Sequence, residues 1–320
     1  MAKINVGGQA IIEGVMMRAG KSMAMAARRP DGTIVVEGQP VLAWADRFPP
    51  LKWPWLRGTL VLFEAMFLGL KALEWSGQQA MAEVPPAGAA GKKPTASKGD
   101  RVALIITLGV GFGLGILLFV VVPYYGAQFT AKYFSSGQSR WTFNALNGGI
   151  KVTIFLLYLW MMSWVPDLRR VFMYHGAEHK SIFAWEAGRG LDLPHALDKS
   201  RFHPRCSTAF LLMVMVVSII TFAILLPRHL KLWARLGGEM LLLLPIAGVT
   251  YELQRFSARY QHWTWVRWLF KPGLALQALT TREPEPAQVE VALAALKEVL
   301  AMEEKRLGSI EPEEAACGTN

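Results

Sequence analysis

Charge is what this chain has least of. Only 18% of its 320 residues are Asp, Glu, Lys or Arg, against about 25% in soluble globular domains. The shortage is local: residues 102–122 and 209–226 carry no charge at all. That excludes a chain built only of soluble domains, although its length would accommodate two. Cysteine is scarce too, and Cys206 and Cys317 cannot build a disulfide framework. No apolar stretch like a signal-peptide core stands at the N-terminus, so the N-terminal region is expected to stay in the cytosol. Signatures of RNA or DNA binding are also missing. The net charge of +10, from 34 basic and 24 acidic residues, lies mostly beside apolar runs. That placement suits lipid headgroups rather than nucleic acid.

What the chain does have is long apolar runs. A bilayer core asks for roughly 20 mostly apolar residues per helix, and four stretches qualify. They are 102–122; 149–165, with Lys151 near its end; 209–226; and 236–253, with Glu239 and Glu252 towards its two ends and Pro245 inside. The last is expected to bend or to re-enter. The fold class is therefore a mainly α-helical integral membrane protein of about four transmembrane helices, with a small N-terminal α+β cytosolic unit. Lys92, Lys93, Lys98 and Arg101 precede the first span, and a basic loop from Arg169 to Arg205 joins the second to the third. Only Lys132 and Arg140 lie between the first and second. Basic residues favour the cytosolic side, which puts both termini in the cytosol. Arg228, Lys231 and Arg235 run against this count.

Around the membrane domain, 102–253, the chain divides further. Residues 1–55 read as the cytosolic unit, with strands at 22–29 and 33–37 joined by the turn Pro30-Asp31-Gly32. Residues 56–75, apolar but holding Glu64 and Lys71, read as an interfacial amphipathic helix. A linker spans 76–101, and 166–208 is a cytosolic helical loop. The C-terminal segment 254–320 contains an amphipathic helix at 287–306 and a polar tail. Gly109, Gly111, Gly113 and Gly115 lie inside a span, where small residues serve close helix packing rather than nucleotide binding. Trp263, Trp265 and Trp268 read as an interfacial belt.

The chemistry concentrates in the loop. His175-Gly-Ala-Glu178-His179 has the H-x-x-E-H pattern of inverted zincins. Residues four apart on a helix sit about 40° apart around its axis, so both imidazoles reach one Zn²⁺ and Glu178 stands near its bound water. Asp167 would cap this helix, Gly188 would end it, and Glu186 falls on the histidines' face. Glu252 and His203 are the candidate third ligands, both expected near the inner membrane surface. Simpler readings stand beside these. The histidines could form an interfacial polar pair, Glu252 could pair with Arg255 or Arg259, and Cys206 could be a small buried residue rather than a ligand. Glu13, in the glycine-rich segment 7–18, reads as structural.

Four segments, GGQAIIEGVMMR at 7–18, YHGAEHK at 174–180, HPRC at 203–206 and YE at 251–252, resemble the YqhQ-like family of bacterial membrane proteins. The resemblance covers nearly the whole chain apart from 76–100 and the C-terminal tail. It implies a multi-spanning protein of the bacterial cytoplasmic membrane and points to the same His and Glu residues. The family is a domain of unknown function, sometimes labelled a metal-dependent enzyme, and it supplies no substrate. One departure is Ser207, where the family tends to have glycine after HPRC.

Two readings follow. In the first, the protein is a metal-dependent hydrolase at the cytosolic membrane boundary, acting on a membrane-protein segment or a lipid. His175 and His179 bind Zn²⁺ with Glu252 or His203, Glu178 is the general base, and Glu186, Cys206 or Glu13 act as supporting groups or alternative ligands. In the second, it is a non-enzymatic scaffold or quality-control factor that meets other membrane proteins through its N-terminal unit and C-terminal helix. A transporter fits less well, because the spans hold few polar groups near the midplane. The oligomeric state is not legible in the sequence.

Overall fold

The computed structural model describes residues 4–41, 53–82, 98–133, 139–188, 190–204, 206–227, 230–260 and 262–317. Most of the linker at 76–101 lies outside the described residues, as do Arg189, Arg205 and Arg228.

The chain opens as an antiparallel meander, β1 (Val6–Ile11), β2 (Gly14–Ala19), β3 (Ser22–Arg28) and β4 (Ile34–Pro40), in the order β1-β2-β3-β4. The turn before β4 follows its chemistry: the Asp31 carboxylate accepts hydrogen bonds from the Thr33 amide and hydroxyl. Strands β3 and β4 occupy the two stretches read from the sequence, and β1 and β2 precede them. Side chains alternate between the sheet's two faces. Val15, Met17, Ala19, Ala24 and Ala26 point to one side, and Ile11, Met16, Met23 and Met25 to the other.

Both faces are covered. On the first lie α5 (Pro166–Glu186) and α10 (Pro286–Cys317). Val289, Ala292, Leu296 and Val299 of α10 are fully buried there, the valines and the leucine contributing roughly 1.5–3 kcal/mol each. The C-terminal helix is therefore part of this unit's core. On the second face lies the C-terminal half of α1 (Pro54–Ala80), through Leu68, Ala72, Leu73 and Trp75.

The N-terminal half of α1 leaves the sheet and packs on α8 (Leu232–Arg259). A Cβ on Gly58 would stand 2.9 Å from the Gly248 Cα and 2.8 Å from the Tyr251 Cβ, so the two helices meet where a side chain is absent. Arg57 closes the contact with a two-pronged ion pair to Glu252, 2.7 Å on each side. Helix α1 thus ties the sheet unit to the membrane domain. It still exposes an apolar stripe, Phe63, Met66, Phe67 and Leu70, at the helical spacing of an amphipathic face.

Among the described residues, four helices are long and apolar enough to cross a membrane: Gly109–Tyr133, Arg140–Met162, Thr208–Leu225 and Leu232–Ser257. The first joins α2 (Lys98–Ile116) to α3 (Val122–Tyr133) through a π-helical turn, Leu117–Val121. That turn directly precedes Pro123, which lacks an amide donor and crowds the carbonyl four residues earlier. The others are α4 (Arg140–Met162), α7 (Ser207–Leu225) and α8. Pro245 lies inside α8, which runs as one helix of 28 residues.

Arg235, expected among loop charges, is buried in the bundle at 1% exposure. Its Nε donates to Glu239 Oε1 at 3.0 Å and its guanidinium to Asn144 Oδ1 at 2.7 Å, while Lys151 Nζ holds Glu239 Oε2 at 2.7 Å. Charges far from water persist only in such company. After the last span, α9 (Thr264–Thr280) packs back on α7. The Trp-rich reading of this stretch did not include that helix; Trp265 and Trp268 stay exposed on it. The short helix α6 (Leu193–Leu197) lies between α5 and α7.

Candidate metal centre

Helix α5 starts with Pro166 at its first position, where a missing amide costs nothing. Asp167 lies in the first turn, and Val165 occupies the N-cap position without a side-chain cap. Gly188, with φ of +66°, follows the helix end. Tyr174, Ala177, Ile182 and Ala184 belong to the sheet's core, and His175, Glu178 and His179 are buried beside them at 8%, 5% and 2% exposure.

Both histidines are oriented by backbone carbonyls. His175 Nδ1 lies 2.8 Å from the Thr280 carbonyl oxygen, and His179 Nδ1 lies 2.5 Å from that of Arg201. A carbonyl only accepts, so each Nδ1 carries a proton, and in the neutral ring Nε2 is left as the lone-pair donor. Cys206 meets those lone pairs at the N-cap of α7, with its Sγ 3.2 Å from His175 Nε2. Donor atoms of His175, His179 and Cys206 all lie within 4.8 Å of one another, and all three residues are buried.

Glu178 stands next to this group. The Gly8 amide on β1 donates to its carboxylate, while Oε2 has no hydrogen-bond partner among the described residues. A Cβ on Gly8 would come within 2.9 Å of Glu178 Oε1 and 2.8 Å of the Met16 carbonyl oxygen. Glycine at this position lets the carboxylate reach the strand. Burial pushes the Glu178 carboxyl above its ordinary range, against the opposing influence of His175, His203 and the Gly8 amide. Burial likewise depresses His179, and it depresses His203 to about 4, so both rings are held neutral.

His203 lies beside the cluster. Its ring is 5.6 Å from that of His179, and its Nε2 is 3.4 Å from Glu186 Oε2. Gln277 on α9 clamps its backbone: the His203 amide donates to Oε1 at 2.8 Å, and Nε2 donates to the His203 carbonyl at 2.7 Å.

Of the residues singled out from the sequence, the structure gathers His175, His179 and Cys206, with Glu178 and His203 adjacent. Glu252 is elsewhere, engaged by Arg57, so the third donor beside the histidines is the Cys206 thiol rather than a carboxylate from α8. Glu186 faces His203 rather than the histidine pair. Glu13 sits in the β1–β2 turn at φ of +50°. Arg170 grips both its oxygens at 2.6 Å, and the Tyr174 hydroxyl donates to it at 3.3 Å, fastening the hairpin to α5. Sequence reasoning missed Gly8, Gln277 and the Thr280 carbonyl. Gly8 lies within the GGQ motif, whereas α9 offered no signal.

A cavity of about 390 Å³ opens against the cluster. Glu178, His179, His203 and Cys206 line it, together with β1 through Val6, Gly7 and Gly8, and α1, α7 and α8 through residues such as Val61, Phe210 and Tyr251.

Residues 53–302 match a family described as "Protein of unknown function (DUF1385)". The uncharacterized protein YqhQ of Bacillus subtilis (strain 168) is 30% identical over 305 residues, covering 93% of this chain and 92% of its own length. No solved structure matches.

Proposed function

The chain belongs to the DUF1385, YqhQ-like family, and we propose that it is a membrane-embedded, metal-dependent hydrolase working at the cytosolic face of a bacterial inner membrane. His175, His179 and Cys206 hold the metal, and Glu178 is the general base. The observation that carries this reading is the pair of carbonyl contacts at His175 and His179 Nδ1. They leave both Nε2 atoms clear of backbone acceptors and near one sulfur, the orientation that backbone acceptors impose on metal-binding imidazoles.

Two imidazoles and a thiolate suit Zn²⁺. Three protein donors leave a coordination position for water, which zinc acidifies towards neutrality. Glu178 Oε2, buried and without a partner among the described residues, is available to take a proton, while the Gly8 amide fixes the other oxygen. His203, held neutral, offers a hydrogen bond in the same cavity.

Zinc analysis of detergent-purified protein tests this reading. One zinc per chain is expected in the wild type and none in the His175→Ala/His179→Ala variant. Metal-free protein with full function sinks it. The scaffold reading loses one of its two surfaces, because the apolar side of α10 is consumed in the sheet's core.

A further inference from the structure

We infer that the cavity beside the cluster binds the hydrocarbon chain of an acyl lipid, presenting the ester or amide at the chain's head to Glu178 and Cys206. This names the substrate class of the proposed hydrolase and rests on that reading for its chemistry, though not for the binding.

The cavity's position argues first. Two of its walls, α7 and α8, are helices long and apolar enough to cross a membrane. Its third wall, α1, carries the exposed stripe Phe63, Met66, Phe67 and Leu70, with Met66, Phe67 and Leu70 each more than half exposed. Val61 and Ala65 of the cavity are on the same helix. An exposed apolar stripe on a helix packed against the span α8 suits contact with hydrocarbon, and we take α1 as a doorway between bilayer and cavity.

Polarity argues next. The acidic and metal-ligating groups cluster, and most of the other lining residues, Val61, Phe210 and Tyr251 among them, are apolar or aromatic. An amphiphile lodged tail-first places at that cluster the first polar bond beyond its chain, which in an acyl lipid is the carbonyl. Among the described residues neither Lys nor Arg lines the cavity, so none of them offers a phosphate a counter-charge there, which favours a headgroup that stays outside.

Size favours a flexible chain over a helical peptide. One turn of a helical peptide, about 10 Å across and 5.4 Å long, fills about 420 Å³, more than the cavity's 390 Å³. An extended peptide adding to β1, the edge strand, would compete with Glu178 for the Gly8 amide. A flexible chain fits a volume within the roughly 300–1,000 Å³ of small-ligand sites.

The chemistry balances as hydrolysis. The oxygen of water bonds to the acyl carbon, and the bond from that carbon to the head oxygen or nitrogen breaks. Glu178 takes the proton that water loses and passes it to the departing alcohol or amine. The products are a fatty acid and a freed head.

The experiment uses the full chain in nanodiscs with phosphatidylcholine bearing a photoactivatable diazirine on one acyl chain. Cross-links are expected on Val61, Phe210 and Tyr251. Ala65→Trp, which fills the cavity from an exposed position, should cut them about tenfold. Gln78→Trp, exposed on the same helix outside both the cavity and the stripe, should leave them unchanged. Circular dichroism and zinc content of both variants establish that they fold. Cross-links that ignore Ala65→Trp, or that an apolar peptide displaces while unlabelled lipid does not, overturn the inference. Cavity labelling in a protein without zinc refutes the metal reading and leaves lipid binding standing. Zinc without cavity labelling does the reverse.

Discussion

His175 Nε2 lies 3.2 Å from Cys206 Sγ, although 31 residues separate them. The contact joins α5, which belongs to the sheet unit, to the first residue before the span α7. Nothing in local structure requires it. Because the opposite ring nitrogen of His175 is taken by the Thr280 carbonyl, the imidazole is fixed with its lone pair towards the sulfur.

If that group binds zinc, Cys206→Ala removes a ligand and Glu252→Gln does not. Cys206→Ala should lower zinc affinity by at least about 100-fold, since loss of outer-shell partners alone costs about 10–100-fold. Glu252→Gln should keep one zinc per chain and instead loosen α1 from α8, where Arg57 would lose its partner. Chelator competition followed by elemental analysis separates them. Zinc lost from Glu252→Gln and kept by Cys206→Ala would restore the carboxylate as ligand.

Glu178→Gln tests the division between ligand and base. The variant should retain zinc and lose hydrolysis, because Glu178 lies outside the group of converging donors. Gly8→Ala should retain zinc too. Its new Cβ meets the Met16 carbonyl and Glu178 Oε1 within 3 Å, and such overpacking costs about 1–3 kcal/mol. A lowered melting temperature with full zinc content is the expected pairing. An unchanged melting temperature would mean that Glu178 does not depend on β1.

Neighbouring positions explain what the sequence disclosed and what it hid. The spans were visible because lipid tolerates so little charge, and His175 and His179 because a four-residue spacing has one helical meaning. The direction of Glu252 was not legible in the same way. Consecutive helix residues point about 100° apart, and Tyr251 turned out to line the cavity while Glu252 faces Arg57. Choosing between them required the position of α1. Strands β1 and β2 were obscured by Gly7, Gly8 and Gly14, which dilute alternation, and by a turn made of Ile12 and Glu13. Helix α9 was hidden by Pro272 and Gly273, which read as punctuation, yet Gln277 and Thr280 on it hold the site together.

Inside the bundle, Glu239 serves both Arg235 and Lys151. Glu239→Gln leaves two buried cations without a counter-charge and should cost about 3–5 kcal/mol, read as a lower melting temperature in detergent. Asn144→Ala removes one contact to Arg235 and should cost less. Equal effects would mean that the charge itself contributes little.

Acid should loosen the sheet from α10. The Arg306 guanidinium holds the Glu303 carboxyl below its usual range, helped by the Ser22 hydroxyl and the Lys21 amide. A depressed folded pKa adds stability above the unfolded value of about 4.3 and loses it as pH falls through the folded value. Glu13, lowered first by its Arg170 hydrogen bonds, adds in the same direction. Stability should therefore decline below about pH 4.3, and less steeply in Glu303→Gln. An identical acid slope in the variant would refute the linkage.

The burial of Arg235 also bears on which way the protein faces. As a loop charge it opposed a cytosolic placement of both termini. In the structure it is 1% exposed and spent on Glu239 and Asn144, so it no longer belongs in a count of loop charges. Among the described residues Lys231 remains on that side, together with Lys132 and Arg140 near the loop between α3 and α4. The opposite side keeps Arg169, Arg170, Lys180, Lys199, Arg201 and Arg255. A reporter inserted at Gly137, between the first and second spans, should register outside the cytosol. A cytosolic signal there would turn the protein over, move the His175–Cys206 group to the outer face, and remove the cytosolic setting from the proposed hydrolase.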